Sequence, residues 1–196
     1  MRSPSCAERR TYAEYMPQSP QTLSLAERRT VASWAADCAE HVLPLFEDVM
    51  PDDPRVRAAI DQARAFAAGG LDVGDAIRTR GGQAGAAARD APTPAARAAA
   101  YAAEQAAAVA HMGAHALGAA GYAGRAAALH AGCNDDTVAR AEAARQIAGM
   151  SHQVAQALAA LPALGENNSG PLAPGRLSTG HIGATIRAIQ AEIGTR

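Results

Sequence analysis

Apolar residues recur along this chain at three- and four-residue spacing, and no segment alternates with a period of two. Ser24-Leu25-Ala26-Glu27 reads as a capping box, with Ser24 as N-cap and Glu27 reaching back. The helix it opens carries Val31, Trp34, Cys38, Val42 and Leu45 as its core stripe, and Pro44 is expected to kink or end it. Pro51-Asp52-Asp53-Pro54 predicts a turn with Asp53 as N-cap and Pro54 at the first helical position. The second helix then runs to about Ala68, burying Val56, Ile60, Ala63 and Ala67, until Gly69-Gly70 stops it. Asp72 is positioned to cap a third, from Val73 to about Arg89, which Gly81-Gly82 weakens in its middle.

Thr93-Pro94 opens a long alanine-rich segment reaching about Ala131, to be bent or divided by Gly113, Gly118, Gly121 and Gly124. Asn134-Asp135-Asp136 begins the next helix, which is predicted to end near Leu161-Pro162. A loop from Gly165 to Gly175 leads to a last helix, from about Gly180 to Ile193, with Ile182, Ile186, Ile189 and Ile193 on one face. The expectation is an all-α, compact bundle of six to seven helices with no sheet. Residues 1–22, polar and interrupted by Pro4, Pro17 and Pro20, read as a mobile N-terminal tail, and 23–196 as a single helical domain.

Composition sharpens this picture in three ways. Roughly a quarter of the chain is alanine and only 4% is aromatic, so helices are expected to pack closely with few bulky side chains between them. A net charge of −1 leaves no basic field for nucleic acid or an anionic membrane, and no apolar run suits a transmembrane helix or a secretion signal, so a cytoplasmic location is expected. Every one of the 18 basic residues is arginine, which removes Schiff-base and Walker-type lysine chemistry. Cys6, Cys38 and Cys133 are too scattered for a disulfide framework or a metal knuckle, and no cofactor motif is present.

Candidate chemistry concentrates between Arg97 and Tyr122. At 100° per residue Tyr101, Glu104, His111, His115 and Tyr122 share one helical face, and Arg97 joins it one turn earlier. A neutral imidazole beside a carboxylate suits acid–base work, so His115, His111 and Glu104 are the candidate catalytic residues, with Tyr101, Tyr122 and Arg97 as candidate ligand contacts. His111 and His115, four residues apart, also fit one metal ion, yet one helix supplies no third ligand and no metal site is assigned. The plain alternative is that the stripe is a solvated helix face. Cys133, ahead of a helix start, reads as a turn thiol rather than a nucleophile, and Cys38 as core.

The run Asp37-Cys38-Ala39-Glu40-His41-Val42-Leu43-Pro44-Leu45-Phe46-Glu47, then Pro51-Asp52-Asp53-Pro54-Arg55, Ala65-Phe66-Ala67, and Ala110-His111-Met112-Gly113-Ala114-His115-Ala116-Leu117-Gly118-Ala119-Ala120-Gly121-Tyr122-Ala123, resembles a bacterial, actinobacterial-type family of immunity proteins. The similarity covers about residues 25–129. It implies an alanine-rich, all-helical domain that neutralises a toxin by binding, and it implies no catalytic set; His111, His115 and Tyr122 fall on positions recurrent in the family motif.

Three functions compete at this point. The first is a binding protein giving immunity or resistance by sequestering a protein toxin or a small molecule, with the polar stripe lining a pocket between helices. The second is a cofactor-independent cyclase, isomerase or hydrolase of a small molecule, of the kind used in natural-product biosynthesis, working through a His/Glu pair. The third is a metal-binding helical bundle. Neither nucleic acid nor membrane is an expected partner, and self-assembly into a homo-oligomer is left open.

Overall fold

The computed structural model of the chain describes residues 19–79 and 82–194. Its helices are α1 (Leu25–Val42), α2 (Pro44–Glu47), α3 (Arg55–Ala67), α4 (Val73–Thr79), α5 (Gly82–Asp90), α6 (Pro94–Ala108), α7 (His115–His130), α8 (Thr137–Ala148), α9 (His152–Ala159) and α10 (Gly180–Ile193), with one 3-10 turn, Arg176–Ser178, before α10. There is no strand among the described residues, as the spacing predicts. No helix there is long and apolar enough to cross a membrane.

The segments outnumber the six or seven expected because long predicted helices are broken. Residues 73–79 and 82–90 are helical as α4 and α5, on either side of 80 and 81, which lie outside the described residues. The segment 94–131 divides at Val109–Ala114 into α6 and α7. The helix expected to reach Leu161 stops at Ala148 and restarts at His152, where Ser151 accepts the Val154 N–H as a new N-cap. Several boundaries fall where capping chemistry places them. The Ser24–Glu27 box closes reciprocally. Thr93 accepts the Ala96 N–H, and Asp72 that of Gly74.

Helix α7 is the centre of the bundle. Every residue from Ala116 to Gly124 is buried, which is what an all-apolar helix surface requires. It packs against α6, α10, α1 and α8. Close packing depends on small residues. A methyl group added at Gly121 would lie 2.7 Å from the Ile182 side chain and 3.2 Å from its carbonyl oxygen, and one at Gly124 would overlap Thr185. Larger side chains fill the periphery of this core: Trp34, Phe46, Phe66 and Ile60 from α1 to α3, and Ile182, Ile186 and Ile189 from α10.

The expected tail needs correction at its inner end. Residues 1–18 lie outside the described residues, but 19–22 are docked rather than mobile. The side chain of Gln21 is fully buried. Its amide accepts the Leu172 N–H at 2.9 Å and donates to the Ser169 carbonyl at 2.7 Å. The carbonyls of Gln21 and Thr22 accept the N–H groups of Ala114 and Gly113. Leu23 then turns the chain into α1 with φ at 61°, a costly conformation for a branched residue that the surrounding contacts sustain. Gln21→Ala would leave the buried Leu172 N–H without its acceptor. An expected loss of about 1–3 kcal/mol follows from an unsatisfied buried donor, and urea denaturation checks it.

Candidate functional site

Because α6 and α7 fold back as a hairpin, residues far apart on one straight helix meet across two. The rings of Tyr101 on α6 and Tyr122 on α7 lie 5.3 Å apart, centroid to centroid. They stand in a cleft of about 270 Å³ that Pro94, Ala98 and Ile182 also line. Three arginines line the same cleft: Arg97 from α6, Arg125 from α7, and Arg176 from the 3-10 turn. No carboxylate lines it, and among the described residues none of the three forms a salt bridge. Arg97 spends one nitrogen on the Ala91 carbonyl, at 3.0 Å.

The electrostatics agree with this geometry. The Tyr122 hydroxyl beside Arg176 raises the guanidinium's pKa, with Tyr101 a further contributor. Burial pushes the Tyr122 phenol up in turn, while Arg176 and Arg125 oppose the shift. Glu104 sits behind the cleft rather than in its wall. It lies against α5, where the absence of a side chain at Gly85 makes room for its carboxylate. Burial raises its pKa, and the charges of Arg89 and Arg176 pull it back. The lowered preference for the ionised form is therefore only partly opposed by the cations nearby.

Arg176 reaches the cleft through a chain of local contacts. Ser178 closes the 3-10 turn by accepting the Gly175 N–H at 2.9 Å, and Leu177 is buried beneath it. Arg187 of α10 donates to the Ser178 carbonyl. Upstream, the loop is fastened by Gly165 N–H to the Leu172 carbonyl and by Leu172 to Gln21. The docked N-terminal segment thus secures the loop that presents Arg176.

The predicted stripe is divided by this fold. Arg97, Tyr101 and Tyr122 are brought together in the cleft. The two histidines do not line it. His111 falls in the α6–α7 connection and is exposed, while His115 is half-buried at the first position of α7. Their rings are 6.4 Å apart. His115 Nδ1 bonds the Gln105 amide oxygen at 2.9 Å; an amide oxygen only accepts, so Nδ1 carries the hydrogen. Among the described residues no group of three or more His, Cys, Asp and Glu side chains is placed to hold a metal. Arg125 and Arg176 were not singled out by the sequence reading. For Arg125 a signal existed, since it follows Tyr122 by three residues and shares its face. Arg176 lies in a glycine- and proline-rich loop whose path no periodicity reveals.

A larger cleft, about 560 Å³, opens between α1, the end of α3 and the start of α9. Its ion pair is internal to the wall, while the buried Nε of Arg29 has no hydrogen-bond partner among the described residues. Arg64 pairs with Asp37 at 3.0 Å and with Glu40, and Arg29 lies over the Phe66 ring. Cys38 is buried beside α8, and burial raises its pKa well above the usual thiol range, so it is a core residue and no nucleophile.

The family model described as "Imm-5 like putative immunity protein" matches residues 21–157, and the chain belongs to this family. The match begins at the docked Gln21 and includes Arg97, Tyr101, Tyr122 and Arg125, whereas Arg176 lies beyond it. No curated protein and no solved structure matches the chain.

Proposed function

We propose that the protein confers immunity by binding, and that the arginine–tyrosine cleft is where the bound toxin or small molecule is held. Family membership supports immunity as the role. The observation that supports the cleft is the convergence of Arg97, Arg125 and Arg176 with no carboxylate among them. Like charges held together cost energy unless a ligand compensates them, and arginine's planar fork suits oxyanions. The site has donors and cations in place, while the two histidines that would have served a general base stand outside it.

The test is a mixed-culture competition between the encoding strain and a derivative deleted for this gene. The deletion strain should be outgrown by its sibling. The unaltered chain should restore it, and Arg97→Gln/Arg125→Gln/Arg176→Gln should not. Equal growth without the gene would refute immunity, and full rescue by the triple variant would move the binding site away from the cleft.

A further inference from the structure

The charge balance of the cleft narrows what it takes. Three guanidinium groups face one small volume. Glu104 lies behind the cleft, its carboxylate shared between Arg89 outside it and Arg176 within it. More than one positive charge therefore faces the cleft with no carboxylate in its wall. A single carboxylate would neutralise one and leave the like charges beside it uncompensated. A phosphate monoester carries about −1.5 to −2 near neutral pH and offers three acceptor oxygens. That matches both the charge and the donors, which here comprise three guanidinium forks and the tyrosine hydroxyls. The volume adds a second restriction. At roughly 30 Å³ per water, about nine waters fit in the cleft, so a free phosphate fills only part of it. The rest is bounded by Ala98 and Ile182, both buried and apolar, which favours a compact carbon skeleton attached to the anion.

We infer that the cleft is a receptor for a small phosphate monoester, its dianion held by Arg97, Arg125 and Arg176 and its organic part laid on Ala98 and Ile182. This rests on the reading of the cleft as the binding site, and it names the chemical class of what is bound there.

Calorimetric titration of the full-length protein at about 0.15 M salt, where exposed charges are largely screened, tests it with three probes. These are phenyl phosphate, inorganic phosphate and benzoate. Phenyl phosphate should bind tightest. Inorganic phosphate should be weaker because it lacks the apolar part, and benzoate weaker by about tenfold or more because one charge-assisted contact is lost. Arg125→Gln and Arg176→Gln should each weaken phenyl phosphate by about tenfold. Glu104→Gln, which removes the carboxylate's charge, should tighten it. Circular dichroism and the melting temperature verify that each variant is folded. Benzoate binding as well as phenyl phosphate, or an Arg125→Gln/Arg176→Gln protein retaining full affinity, would overturn the inference; inorganic phosphate binding as tightly as the ester would overturn the organic part of it. The failures separate cleanly. Loss of phosphate-ester binding with intact rescue in culture leaves the receptor standing and removes the cleft from immunity. Loss of rescue in a protein that never bound the ester does the reverse.

Discussion

Trp34→Ala should lower stability by about 3–5 kcal/mol, the range for emptying a large aromatic site in a packed core. Trp34 is only 4% exposed and sits on the α1 stripe with Val31, Cys38 and Val42. Its role exceeds volume. The indole Nε1–H donates to the Gln146 carbonyl at 3.1 Å, in the last turn of α8. Carbonyls there have no partner within their own helix, so the indole acts as a cap supplied from another element. Alanine therefore opens a cavity and orphans a buried acceptor together. Trp34→Phe keeps most of the packing and loses only the donor, so about 1–2 kcal/mol is expected for it. Guanidinium unfolding followed by circular dichroism gives both values. A loss below about 1 kcal/mol for alanine would show that the site collapses around the smaller side chain, and equal losses for the two variants would remove the capping role.

Several helix starts were legible in the sequence because their caps are local, although the helix expected to begin at Pro54 begins at Arg55 with Pro54 as its cap. Ser24, Asp72 and Thr93 cap with their own side chains, and the isoleucines of α10 are buried as their spacing predicts. The docked inner end of the tail and the place where the long alanine-rich segment divides have a common origin. The segment read as tail supplies the carbonyls of Gln21 and Thr22, and the segment expected to bend or divide at a glycine does so where the N–H groups of Gly113 and Ala114 meet them. Leu23 lies so close to Gly113 that any side chain there would collide with it. Neither event is visible alone: an extended polar segment looks unstructured until the break offers it donors, and Ala108–Ala114 looks helical until that segment draws the donors away. This is tertiary context overriding local propensity.

The site follows the same division. A stripe of Arg97, Tyr101 and Tyr122 is recognisable from periodicity, and folding into a hairpin preserves its coherence by bringing the two tyrosine rings into tilted contact. Periodicity along one helix cannot distinguish a straight rod from a hairpin. It therefore assigned the two histidines to the same neighbourhood, whereas the α6–α7 turn carries His111 and the start of α7 carries His115. Arg176 depends on a loop held by Gln21 and on a turn held by Ser178, contacts that span most of the chain.

Arg145→Met should cost about 3–5 kcal/mol, because it would strand a carboxylate inside the bundle. Glu142 has a side chain only 5% exposed, yet in sequence it resembles an ordinary surface partner three residues before an arginine. Arg145 binds both of its oxygens, at 2.6 and 3.0 Å, and the Gln146 amide donates to one of them at 3.0 Å. His41 of α1 lies 3.3 Å from the other. Gln146 in turn donates to the Ala120 carbonyl on α7, so the carboxylate joins α1, α7 and α8. An exposed pair of this spacing is worth a few tenths of a kcal/mol, and burial is what raises the expected loss. The double variant Glu142→Leu/Arg145→Met removes the charge with its partner, and such replacements are often close to neutral in a packed interior. It should accordingly be more stable than Arg145→Met alone. Urea denaturation of the two single variants and the double one closes the thermodynamic cycle. If the two losses simply add, the pair contributes through packing and its charges are not coupled; if the double variant recovers most of the stability, the arginine's role is to satisfy a carboxylate that the fold has buried.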